Sequence, residues 1–338
     1  MKMIHEISVL VSGAVMLMIP GLANLFRSKR QKAFIEKELL ENALKHLYDC
    51  ESKKGNGSCE SIGGALGTGR KKSNELREQL ESSGLISVKD EKIELTDTGR
   101  SYALKVIRIH RLWESYLADK TGTPSIEWHR EAEAREHQIS EEEADRLASR
   151  LGNPLYDPDG DPIPDKEGFV PPRKGILLRD SAGNTFAKVT HIEDEPQEVY
   201  NQIIAENVYP GLTIRVLENE NGKTVFVADG EEKIFTRLLT SNVTIMEIPE
   251  SESEPLELVT LDKLKKGFEC EIYKVSKLLR GQQRRRLMDL GFVPGSTISF
   301  EMSSASGDPV AYRVRGAVAA LRLEQARLIF VKNVRKVA

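Results

Sequence analysis

The chain has 338 residues, with 49 Lys plus Arg against 52 Asp plus Glu and a net charge of −3. That length allows two or three domains, and the near balance excludes a protein held to nucleic acid by overall charge, so any such contact must come from a local basic surface. Three cysteines, Cys50, Cys59 and Cys270, with no C-x-x-C pair, exclude a disulfide framework and point to a reducing compartment.

Residues 7–26, ISVLVSGAVMLMIPGLANLF, form an uncharged run of 20 residues, long enough to cross a bilayer. Arg27, Lys29, Arg30 and Lys32 follow at once. A basic flank holds the downstream chain in the cytoplasm. The run therefore predicts a single-pass transmembrane helix in the inner (cytoplasmic) membrane, with the soluble domains in the cytoplasm. A cleaved signal peptide is the rival reading, because Gly21-Leu22-Ala23 resembles a small-x-small cleavage site.

Phe34 to Tyr48 then reads as a helix, with Leu39, Leu40, Ala43, Leu44 and Leu47 at helical spacing. Glu38 and Glu41, three apart, leave it on one side. KKGNGS turns the chain. CESIGGALGTG reads as a short helix and RKKSNELREQLESSGLI as a longer one stopped by Gly84. ISVKDEKIELT adds two short β-runs around a charged tip. Helix, helix-turn-helix and hairpin in that order describe a winged helix. Arg70, Lys71, Lys72, Ser73, Asn74 and Arg77 are its candidate DNA-binding residues: Arg and Asn suit guanine and adenine edges, Lys suits phosphate. A merely solvated basic helix start is the bland alternative.

Thr96 to Leu117 predicts a helix carrying His110 and Glu114, which share a face at i, i+4. IEWHREAEAREHQI follows. His129, Glu133, Glu136 and His137 fall at offsets 0, 4, 7 and 8, within an arc of about 100° on one helical face. Two imidazoles and two carboxylates suit Mn, Fe, Co or Zn better than Ca or Mg. A solvated Glu/Arg face is the competing reading. Neither H-E-x-x-H nor H-x-x-E-H is present, and no general base stands beside an open metal position, so a metal hydrolase is not predicted.

Gly152 to Gly175, rich in Pro, Gly and Asp, reads as an ordered connector or linker. Short β-runs follow, and they repeat. Pro210, Gly211, Thr213 and Ile214 recur as Pro294, Gly295, Thr297 and Ile298, each 84 positions later. Two tandem small barrels separated by the acidic PESESEPLE segment are implied. Arg280, Arg284, Arg285 and Arg286 form a basic cluster that reads as a phosphate site or a solvated helix face.

ENALKHLYDCE, the helix-turn-helix ending in ESSGLI, LTDTGRSYA, IRIHRLWESYL, WHREAEAREHQIS and DPDGDPIP together resemble the diphtheria-toxin-repressor and manganese-transport-regulator family of metal-dependent transcriptional regulators. LVTLDKLKKG, RRRLMDLGFVPGSTI and GDPVAYRVRGAVAALRLEQARLIFV resemble FeoA, and the middle barrel looks like a diverged copy. With the apolar run at 7–26 read as a transmembrane anchor, the resemblance implies an α+β multidomain chain: a winged helix at 35–98, a helical metal-binding and dimerisation domain at 99–151, a linker at 152–174, and FeoA-like small β-barrels at 175–249 and 258–338. It implies no enzyme, but a homodimer that binds a palindromic DNA operator under control of a divalent metal.

By that resemblance the metal ligands are Glu38, Glu41, His110, Glu114, His129, Glu133, Glu136 and His137. Glu133 stands where the iron-responsive branch has Cys and the manganese-responsive branch has Glu. Glu38 and Glu41 match first-helix ligands of the manganese branch, and His110 and Glu114 match the ancillary site of the iron branch. The pattern is a hybrid that favours Mn(II) or Fe(II), with Zn(II) competing by affinity. Glu195 and Glu198 of the first barrel are candidates to complete the ancillary site. The alternative function is a metal-sensing adaptor that regulates a membrane ferrous-iron or other metal transporter through its barrels. In its favour, Ser73 and Arg77 occupy places often apolar in the family's recognition helix.

Overall fold

The structure, a computed structural model, describes residues 20–90, 92–253 and 259–337. Two compact units divide between Ile107 and Arg108. Most of the apolar run at 7–26 lies outside the described residues. Among the described residues no helix is long and apolar enough to cross a membrane.

In the first unit, α1 (Pro20–Ser52) is much longer than its apolar periodicity indicates. From Leu22 to Ser52 the chain has neither Pro nor Gly, so nothing stops the helix before the KKGNGS turn. The second helix, α2 (Cys59–Ala65), starts at a capping box in which Ser61 N donates to Ser58 Oγ at 3.1 Å and Ser58 N donates to Ser61 Oγ at 3.0 Å. Then α3 (Arg70–Ser82) buries Ser73, Leu76 and Leu80, spaced to share one face. Strands β1 (Ile86–Lys89) and β2 (Lys92–Leu95) pair antiparallel, with Ile86 opposite Leu95 and Val88 opposite Ile93. The core joins Ala43, Leu44 and Leu47 of α1 to Ile62, Leu76, Leu80, Ile86 and Ile93. Each fully buried aliphatic side chain contributes roughly 1.5–3 kcal/mol.

The fourth helix, α4 (Asp97–Lys120), is capped by Thr96, whose Oγ1 accepts from Gly99 N at 3.0 Å. Gly99 is required there, because a Cβ would lie 1.8 Å from Leu85 O.

The second unit takes the later turns of α4, then α5 (Trp128–Glu136) and α6 (Glu141–Arg150). Ile109 and Leu112 pack against Ala144, Ala148 and Ile163.

Two antiparallel six-stranded sheets follow. The first holds β3 (Ile176–Leu177), β4 (Thr185–Ile192), β5 (Thr213–Glu220), β6 (Lys223–Ala228), β7 (Glu231–Thr236) and β8 (Val243–Glu247), in the order β3-β8-β4-β5-β6-β7. Helix α7 (Gln197–Ala205) lies between β4 and β5, and α8 (Arg237–Thr240) between β7 and β8. The second sheet holds β9 (Val259–Thr260), β10 (Phe268–Val275), β11 (Thr297–Ser303), β12 (Val310–Val314), β13 (Ala317–Leu321) and β14 (Ile329–Lys336). Helices α9 (Gly281–Asp289) and α10 (Leu323–Ala326) sit at the matching places. Its order, β9-β14-β10-β11-β12-β13, is the same.

The bulges repeat as well. One falls between Val189 and His191 in β4 and between Ile272 and Lys274 in β10. Another falls between Val216 and Glu218 in β5 and between Phe300 and Met302 in β11. Bulges set where a strand bends and which side chains turn inward, so the recurrence is one of geometry and not only of sequence.

Candidate metal centre and recognition helix

On α4, His110 and Glu114 lie one turn apart and are both buried. On α5, His129 occupies the first turn, Glu133 the next, and Glu136 the end. His137 is the C-cap rather than a helical residue. The helix thus ends one residue short of the predicted four-residue face, and His137, still buried, completes it from the cap.

The two groups meet in one network. His110 Nε2 lies 3.1 Å from Glu114 Oε1 and 3.2 Å from His129 Nδ1, and His129 Nδ1 lies 3.4 Å from Glu114 Oε1. On its other nitrogen, His110 Nδ1 meets Glu136 Oε2 at 2.5 Å, while Glu136 Oε1 lies 3.3 Å from His137 Nε2. Glu133 stands at the edge, 3.5 Å from His129 Nε2 and half exposed. The connection after β4 adds Asp194, whose Oδ2 is 2.8 Å from His129 Nδ1.

Burial alone would raise the Glu114 carboxyl. The charge and hydrogen bond of His110, with help from His129, override it and hold Glu114 well below the usual carboxylate range. Burial would likewise lower His129, but hydrogen bonds to Asp194, Glu114 and Glu133 raise it far above an ordinary imidazole. The pocket is therefore built to hold positive charge among carboxylates.

His110, Glu114 and His129 are the described residues whose donor atoms converge tightly enough to hold an ion, all within 4.8 Å of one another. Metal–nitrogen and metal–oxygen bonds of about 2.0–2.2 Å require donor–donor edges of roughly 3.0–3.6 Å. The three edges above match that range, so the donor set fits a first-row divalent cation.

Asp194 takes the place expected of Glu195 or Glu198, both of which are exposed. The acidic run HIEDEP was visible in the sequence, but not which of its carboxylates turns toward His129. Glu38 and Glu41 belong to the first unit. Glu38 is partly exposed. Glu41 is buried, accepts a hydrogen bond from Tyr102 Oη at 2.6 Å and lies 3.6 Å from Lys37 Nζ.

The DPDGDP segment is a packed element and not a loose spacer. Asp157 Oδ1 accepts from Asp159 N at 3.0 Å and Asp161 N at 2.9 Å. Tyr200 Oη donates to Asp159 Oδ1 at 2.8 Å. Asp161 binds Arg111 at 3.3 Å, His191 at 3.3 Å and also Arg173. Arg111 follows His110 directly, so this loop braces the metal-facing stretch of α4.

On α3, Arg70, Lys71 and Asn74 are exposed. Lys72 pairs with Glu75 at 3.5 Å, and Arg77 with Glu81 at 2.9 Å. Ser73 corrects the sequence reading. It is buried, it lies 3.2 Å from Thr68 Oγ1, and a Cβ on Gly63 would be 2.8 Å from its Oγ. Its spacing from Leu76 and Leu80 places it on the packed face, so it fills the turn between α2 and α3 and has no face to offer DNA.

Residues 96–165 match the family described as iron dependent repressor, metal binding and dimerisation domain, and residues 259–333 match the FeoA domain. The iron-dependent repressor IdeR of Mycobacterium tuberculosis is 33% identical over 170 residues, covering 46% of this chain and 74% of that protein. The diphtheria toxin repressor of Corynebacterium glutamicum is 40% identical over 163 residues, covering 45% of this chain and 71% of that protein. A solved manganese-dependent transcriptional repressor in complex with manganese superposes with a TM-score of 0.55 at 25% identity, covering 61% of this chain and 100% of that one.

Proposed function

The chain belongs to the iron-dependent repressor family, which includes the diphtheria toxin repressor, and it carries a FeoA domain; from that premise we propose that it is a DNA-binding transcriptional regulator switched by a divalent metal. The triangle of His110 Nε2, Glu114 Oε1 and His129 Nδ1 carries the reading. Those residues, with Glu136 and Asp194 around them, would hold Mn(II) or Fe(II), and Zn(II) competes by affinity. The cation would supply fixed positive charge among these carboxylates.

The proposal includes Glu38, Glu41, Glu133 and His137 as further ligands of the loaded protein, on the strength of the sequence resemblance. A metal that binds the DNA-competent arrangement about 100-fold better than the alternative shifts their balance by about 2.7 kcal/mol. Differential affinity, rather than affinity itself, makes the switch. Arg70, Lys71, Lys72, Asn74 and Arg77 of α3 would be the DNA contacts in this reading, and the exposure of Arg70, Lys71 and Asn74 supports it. As a homodimer the protein would set two such helices in successive major grooves of a palindromic operator. The apolar run at 7–26 and its basic flank support an anchored form in the cytoplasmic membrane.

The test is fluorescence anisotropy with labelled DNA from upstream of the protein's own gene, with and without Mn(II) or Fe(II), in wild type and His137→Ala. Wild type is expected to bind about 100-fold more tightly with metal, and the variant to lose most of that gain. Equal binding in all four samples would refute the switch.

A further inference from the structure

The basic cluster noted in the sequence, at the start of α9, lies on a cavity of about 760 Å³ inside the second unit. The end of α4, the segment from Tyr156 to Lys174, Thr190 and His191 of β4, the Pro210-Gly211 turn, Thr244 and Met246 of β8, and the stretch from Lys277 to Met288 wall it. Lys120, Lys174, Lys277, Arg280, Arg284 and Arg285 line it. None of these six has a carboxylate within 4.0 Å among the described residues. Asp119 and Asp157 are the acidic lining residues.

These cations are costly to keep together. Partial burial, and then the like charges of Lys188, Arg280 and Arg284, lower the Lys277 ammonium. Burial also lowers Arg280, against the opposing pull of Asp159 and Asp119.

The fold does not require them. In the first sheet, α7 has the same nine-residue length at the same place. There Pro196, Tyr200, Asn201 and Gln202 stand where the second copy has Arg280, Arg284, Arg285 and Arg286. The repeat acts as an internal control: the same helix forms without the charges. Arg284 has a structural share, since its Nη1 donates to Ser276 O at 3.0 Å. Lys277 and Arg285 are exposed. The lysine tip lies over Gly211, where a Cβ would approach its Nζ to 2.3 Å.

Met246, Met288 and Leu279 provide an apolar wall to the same cavity. A cationic wall facing an apolar one, in a volume of ligand-pocket size, suits a molecule with phosphates at one end and a flat apolar part at the other. We propose that this cavity binds a phosphorylated small molecule of nucleotide size, its phosphates on Lys277, Arg280 and Arg285 and its apolar part against Met246 and Met288. A concave pocket of that volume does not fit a DNA duplex. The site shares no residue with the metal centre, so it gives the regulator a second input.

Arg280 stacks over Trp128, 4.6 Å from the ring, so occupancy should change tryptophan emission. The experiment titrates the full chain with ADP, ATP and inorganic phosphate, following fluorescence and heat, in wild type and in the Lys277→Glu, Arg285→Glu double variant. Saturable nucleotide binding at least tenfold tighter than phosphate, weakened at least tenfold in the variant with its thermal unfolding unchanged, is expected. Four results overturn the proposal: no saturable binding at millimolar nucleotide, equal affinity for phosphate, undiminished binding in the variant, or a variant that loses operator DNA while still binding nucleotide.

Discussion

His129→Ala is expected to weaken Mn(II) or Fe(II) binding by about 100-fold or more. Losing even an outer partner of a metal ligand costs about 10–100-fold, and His129 Nδ1 is a corner of the donor triangle itself. Its ring also joins the α4 pair to Asp194, just after β4. Without it Glu114, fully buried, keeps His110 as its imidazole partner in the triangle. Isothermal titration of metal-stripped protein reads the effect. Glu133→Ala, half exposed at the network's edge, should lose far less. Affinities in His129→Ala equal to wild type would place the metal elsewhere.

The second large effect is on stability. Asp161→Asn should destabilise the second unit by about 3 kcal/mol, because removing one partner of a buried ion pair leaves the other uncompensated. Asp161 serves Arg111, His191 and Arg173 at once. Burial alone would raise its carboxyl, but Arg111 and His191 hold it well below the usual range. A carboxyl whose folded pKa is depressed contributes stability that is fully present above its unfolded pKa of about 3.9 and is lost as pH falls toward the folded value. Asp157 and Asp159 act in the opposite sense, since burial, with neighbouring carboxylates, raises both. The difference between wild type and variant is therefore the clean readout. Denaturant unfolding should show it at full size near pH 7 and shrinking below about pH 4. A constant difference across that range would show that Asp161 acts by packing rather than by charge.

What the sequence could disclose depended on how local the information was. Helical spacing showed that His129, Glu133, Glu136 and His137 share a side, and that His110 and Glu114 share another. It could not show that the two sides meet, since that depends on how α4 and α5 pack. Asp194 was hidden for the same reason: Glu193, Asp194, Glu195 and Glu198 stand within six positions, and only the course of the chain after β4 selects one. A short basic helix looks the same from either side until its docking face is known, so spacing alone does not show that Ser73 faces inward. DPDGDP had the composition of a linker, and composition does not reveal that its carboxylates are buried against Arg111, Tyr200 and His191. The recurrence at 84 positions was legible because a turn such as Pro210-Gly211 carries its own backbone requirement. Gly211 and Gly295 both adopt the left-handed region, at φ 93° and 84°.

The proposed switch requires a cation held between α4 and α5. The most direct measurement is anomalous scattering from crystals grown with Mn(II), collected on both sides of the manganese absorption edge. A manganese-specific peak within bonding distance of His110 Nε2, the Glu114 carboxylate and His129 Nδ1 is the predicted result. No such peak there, with the imidazoles turned to bulk water or the manganese bound only elsewhere on the chain, would contradict it.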